Sequence, residues 1–134
     1  MTSDASIERR VLGLIGLGIR ARNAVVGVEQ VRVAARKGRL ALAMVAPDAS
    51  ENSLKKVLPL LTALRVRVVF GPGAAALGAA VGRETTAVVG ITDQALAHGI
   101  RKVLEGNGKH VRHEAADQRR AKERVAAKVA RRNG

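Results

Sequence analysis

A chain of 134 residues with 24 Lys and Arg against 11 Asp and Glu carries a formal net charge of +13, and its length leaves room for one domain. It has no cysteine, which removes disulfides, thiolate metal sites and cysteine nucleophiles together and suits a reducing cytoplasm. At 47% apolar the composition excludes a wholly disordered chain, yet Phe70 is the single aromatic, so aliphatic residues, Ala and Gly must fill the core.

In chain order, Ile7, Val11, Leu14 and Ile15 recur at helical spacing and predict an amphipathic first helix. Gly13, Gly16 and Gly18 weaken it on propensity and leave its end open. Arg9-Arg10 ahead of the apolar run from Val11 to Ile19 looks loosely like a twin-arginine signal. Arg20 and Arg22 interrupt the region after that run and no A-x-A site appears, so the helix is the better reading. No run approaches the roughly 20 apolar residues that span a bilayer.

Ala24 to Val26 reads as a short strand ended by Gly27. From Val28 the stripe Val31, Ala34, Ala35 predicts a helix that stops at Lys37-Gly38. Leu40 to Ala46 is a near-continuous apolar run, as for a strand covered on both faces. Pro47-Asp48-Ala49-Ser50 is a turn in which Asp48 or Ser50 can cap the next helix. That helix buries Leu54, Val57, Leu58 and Leu61, with Pro59 expected to kink or end it. Val66 to Phe70 is a third strand, and Gly71-Pro72-Gly73 turns into an Ala-rich helix ending near Gly82. Thr85 to Ile91 is the last strand, and Asp93 begins a helix to about Leu104. Four strands alternating with five helices predict a sheet between helical layers. The domain is expected over residues 7–105, after a flexible N-terminus of residues 1–6 and before a polar, basic tail over 106–134, disordered or helical.

Both parts are basic. Residues 109–134 hold nine bases and three acids, which leaves fifteen bases and eight acids for the body. Such an excess repels itself unless a polyanion binds, and it concentrates phosphates around the chain. In the tail Arg120, Arg124, Lys128 and Arg132 fall at i+4 steps, where like charges destabilise an isolated helix.

Catalytic or metal-binding constellations are hard to assemble. His110-x-x-His113 lies in the tail without Cys or paired carboxylates, and no Ser/His arrangement stands out. No metal and no cofactor is expected, and the chain reads as a non-enzyme. One motif competes: Gly71-x-Gly73-x-x-Ala76 after a strand, with Asp93 twenty residues past Gly73, fits a relaxed dinucleotide-binding fingerprint. It sits late in the chain, where one further βαβ unit at most can be placed. With no aromatics to stack on bases, contacts to RNA must come from backbone amides, Arg and helix N-termini. The best candidate is Gly27-Val28-Glu29-Gln30-Val31-Arg32, with Arg36 a turn further on. The structural alternative is that Glu29 pairs with Arg32 or with the helix dipole.

GVEQVRVAARKG (27–38) with LALAMVAPDASENSLKKV (40–57) after it resembles the kink-turn-binding ribosomal protein superfamily of the L-seven-Ae and L-thirty-e type. It is most like the small bacterial, YlxQ-like members, and the likeness runs from about Val11 to Leu104. It implies a three-layer α/β/α sandwich with a mixed four-stranded sheet. In that family a Gly-led turn and the helix after it contact sheared G·A pairs in a kinked RNA helix, and a loop before the last strand contacts an extruded base. These regions correspond to residues 27–33 and 82–86 here. The resemblance thus implies RNA-binding roles for Gly27, Val28, Glu29, Gln30, Arg32 and Val33, with Arg83, Glu84 and Thr85 beside them, and the reading of the helix itself adds Arg36 and Lys37. Family kink-turn binders carry Asn, Glu and, three residues on, Lys after the glycine; here Glu29, Gln30 and Val33 stand there. Val33 removes a cation that contacts phosphate and Glu29 adds repulsion. The expected partner is structured RNA, with ribosomal RNA or the ribosome as one source, and the expected state is a cytoplasmic monomer. A protein-interaction module on the same fold is the other open class.

Overall fold

A computed structural model describes residues 4–105, so the expectations for the tail and for His110 and His113 lie outside the described residues. The order is α1 (Asp4–Arg20), β1 (Ala24–Val26), α2 (Val28–Arg36), β2 (Leu42–Val45), α3 (Glu51–Ala63), β3 (Val68–Phe70), α4 (Ala74–Ala80), β4 (Val88–Ile91) and α5 (Gln94–Glu105). The strands lie in the order β1-β4-β2-β3. β2 and β3 are parallel, and β4 runs antiparallel to both β1 and β2. This is the expected mixed four-stranded sheet between two helical layers.

Period-two alternation along the strands sorts the core into halves. Leu42, Met44, Val69, Val89 and Ile91 meet Ile7, Val11 and Ile15 of α1, Leu77 of α4, and Ala97 and Ile100 of α5. Ala43, Val45, Val68 and Val88 meet Val31 and Ala35 of α2 and Leu54, Val57, Leu58 and Leu61 of α3. Every residue of β2 and β4 is buried, which is why both read as continuous apolar runs rather than alternating ones.

The boundaries differ from expectation for local reasons. Helix α1 begins at Asp4, three residues before the stripe, and so takes in part of the segment 1–6 expected outside the domain; a first turn needs no apolar residue and leaves no periodic trace. It also runs through all three glycines to Arg20. A Cβ at Gly18 would collide with the Leu96 side chain and one at Gly16 would lie 3.5 Å from the Ala80 carbonyl oxygen, so close helix packing overrides propensity. Pro59 neither ends nor truncates α3. It lies on the exposed side, where the carbonyl it leaves unpaired can be hydrated. The strands are shorter than their apolar runs, although ladder-like bonds continue past them, from Ala41 N–H to the Ile91 carbonyl (2.8 Å) and from Ala46 N–H to the Ala87 carbonyl (2.8 Å).

Candidate functional site

Strand β1 ends where Gly27 turns the chain into α2. Gly27 has φ +92° and ψ 161°, backbone that a side chain opposes, and its N–H donates to the Val88 carbonyl at 3.0 Å, tying the turn to the start of β4. The helix then presents Val31, Ala34 and Ala35 to the core and Glu29, Gln30, Val33, Arg36 and Lys37 to solvent.

The expected loop, Arg83 to Thr85, comes to the same place. Gly78 of α4 makes this possible: a Cβ there would lie 2.6 Å from the Thr85 Cα and 2.8 Å from the Glu84 carbonyl, so only glycine lets the loop lie against the helix. Arg83 N–H donates to the Gly78 carbonyl (2.8 Å) and Thr86 N–H to the Ala74 carbonyl (3.1 Å). Thr86 is buried, with its hydroxyl on the Val88 carbonyl at 3.2 Å. From this loop the Arg83 side chain reaches over to Gly27, with an Nη atom 4.0 Å from where a Cβ on residue 27 would stand.

The four helices that come after a strand start differently. The Ser50 hydroxyl accepts the Ser53 N–H at the start of α3 (3.1 Å), and the Asp93 carboxylate accepts the Leu96 N–H at the start of α5 (2.8 Å). Asp48, one of two expected caps for α3, instead reaches α4, where its carboxylate accepts the Ala74 N–H at 2.8 Å. Only α2 starts without a side-chain cap, behind Gly27. The unpaired N–H groups and positive dipole end of its first turn therefore face outward beside Arg83, a setting that favours an anion.

The sequence-predicted residues are thus only partly assembled. Gly27, Val28, Glu29, Gln30 and Arg83, with Glu84 and Thr85 in the loop, share one end of the sheet. Val33 lies a turn along the same exposed face, 43% accessible. Arg36 and Lys37 belong to the opposite end of the nine-residue helix, about 13 Å from its start. Arg32 sits on the flank of α2, half-buried, with its Nε buried and without a hydrogen-bond partner. Neither Glu29 nor Arg32 forms an ion pair among the described residues.

The dinucleotide fingerprint is put to other uses. The α4 N–H that would meet a pyrophosphate is held by Asp48, and the Asp93 carboxylate that would meet a ribose caps α5. Sequence reading missed this role of Asp48, since a separation of 26 positions between donor and acceptor leaves no local signal. It also missed Gly78, whose one visible mark is a glycine in an alanine-rich helix. Among the described residues no group of His, Asp and Glu could hold a metal ion, and no helix is long and apolar enough to cross a membrane.

The described residues thus form a small α/β/α sandwich with an uncapped, glycine-led turn after its first strand. The chain belongs to the ribosomal protein L7Ae/L30e/S12e/Gadd45 family, whose model matches residues 10–101. It is 35% identical over 92 residues to the RNA-binding protein YlxQ of Bacillus subtilis (strain 168), covering 69% of this chain and 92% of that protein. A protein of unknown function from Bacillus halodurans superposes with a TM-score of 0.65 at 29% identity, over 70% of this chain and 95% of its own. The 15.5kD RNA binding protein of Giardia lamblia shares the fold at 22% identity, with a TM-score of 0.62 over 75% of this chain and 87% of its own.

Proposed function

We propose that this chain is a non-enzymatic, cytoplasmic RNA-binding protein associated with ribosomes or translation, acting as a monomer on structured, kink-turn-like RNA. The observation that carries the reading is the uncapped start of α2 with the Arg83 guanidinium beside it. Together these offer phosphate-facing N–H groups, a cation, and in Gln30 an amide able to donate to and accept from a base edge. Family membership and the relative named for RNA binding point the same way. Glu29 and Val33, in place of the family's usual residues, favour recognition of RNA shape over a strict kink-turn sequence.

The test is binding of a bulged RNA stem-loop carrying tandem G·A pairs, titrated over a range of salt. Gln30→Ala and Arg32→Ala should weaken this RNA more than an unstructured RNA of the same length. Unchanged affinity in both variants, for both RNAs, overturns the assignment of the site. Deleting residues 109–134 should flatten the salt slope without altering the preference, as a sequence-independent arm would.

A further inference from the structure

The basic excess of the loops that join strands and helices is not at the Gly27 end. The loops there carry Arg83 against Asp48 and Glu84, and the adjoining first helical turns add Glu29 and Glu51. At the other end of the sheet, the loops α1–β1, α2–β2, α3–β3 and β4–α5 carry Arg22, Lys37, Arg39, Arg65 and Arg67, all exposed, against Asp93 alone. That carboxylate is already committed to the start of α5. The cations enter at β1, β2 and β3, so the row extends across three strand spacings, about 14 Å. We infer that this pole is a second surface for nucleic-acid phosphate, engaging a segment of RNA backbone distinct from the one at the Gly27 turn. This inference rests on the RNA-binding reading.

Cations beside helix C-termini also have a plain explanation, since they complement the dipole and the free carbonyls there. Two residues do not fit it. Helices α1, α2 and α3 all close with the same motif, in which Asn23 N–H donates to Gly18 (2.7 Å), Arg39 N–H to Ala34 (3.0 Å) and Val66 N–H to Leu61 (2.9 Å). Each needs a left-handed residue just before the donor, a position glycine favours. In α2 it is Gly38 (φ +68°), but in α1 and α3 it is Arg22 (φ +63°) and Arg65 (φ +58°), the two non-glycine residues with positive φ among those described. An arginine in that position is the worse choice for folding. It is the right choice for a pole that must present charge.

The same geometry supplies the experiment. In Arg22→Gly/Arg65→Gly the backbone prefers the native conformation, so the full-length variant should melt at the same or a higher temperature. Its affinity for the bulged stem-loop should nonetheless fall, with the slope of log K against log salt flattened by about 1.5 for two lost phosphate contacts. Gln30→Ala, measured in parallel, should lose affinity with its slope nearly unchanged. An unchanged slope in the double glycine variant while Gln30→Ala weakens binding overturns the second surface and leaves the first intact. The reverse pattern supports the pole and overturns the Gly27 reading. If the double variant instead loses sedimentation with vesicles of anionic phospholipid while binding RNA normally, the pole serves a membrane surface and the inference fails.

Discussion

The Arg83 guanidinium stands beside Gly27, with an Nη atom 4.0 Å from the position a Cβ on that residue would occupy. These residues lie on different loops, and the relationship holds only because the loop at 83–85 is pressed onto Gly78 and the turn is bound to Val88. The candidate site is therefore assembled by tertiary packing rather than by one local motif.

Gly27→Val should lose both stability and binding. Its φ of +92° with ψ 161° lies in a region open essentially to glycine, at a cost of about 1–3 kcal/mol for another residue. Chemical denaturation should read that loss, and titration with the stem-loop should show binding reduced even where the variant remains folded.

Gly78→Ala tests whether the loop must lie where it does. Its Cβ would be 2.6 Å from a backbone atom, so loop or helix must move. Overpacking of this kind costs about 1–3 kcal/mol. RNA affinity should fall although residue 78 is buried and touches no ligand. A variant with lowered stability and full affinity would place Arg83 outside the site.

The fold was largely legible in the sequence, and the spatial arrangement of the candidate residues about half so. Buried runs such as Leu42–Val45 and stripes such as Leu54, Val57, Leu58 and Leu61 report directly which faces meet the core. Gly27 with Glu29 and Gln30 was visible because a turn and its helix are contiguous. Arg36 and Lys37 are close to Gly27 in sequence, but the helix sets them about 13 Å from its start. Asp48 on α4, Gly78 under the loop and Gly18 against Leu96 depend on contacts between distant segments, for which a single sequence holds no periodic signal.

Asp48→Ala should destabilise the domain by about 1 kcal/mol through loss of the bond to the Ala74 N–H. It should leave Ser50 capping α3 and should not create nucleotide binding. Thermal melts check the first expectation, and calorimetry with NAD, showing no heat for either protein, checks the second.

Val33→Lys is expected to improve binding. Val33 is 43% exposed on the face that carries Glu29 and Gln30, so a lysine there meets no packing obstacle. It should tighten stem-loop binding and steepen the salt slope by about one unit, the signature of one added phosphate contact. Stability should stay within about 0.5 kcal/mol, as for most surface changes.

If the Gly27 turn reads structured RNA, crosslinking in cells will find the contact there. RNA crosslinked to the full chain should be sequenced, and the crosslinked residues located by mass spectrometry. One recurrent folded RNA, attached at residues 27–30 and 83–85, is the expected result. Crosslinks confined to residues 109–134, on RNAs without common structure, would contradict it.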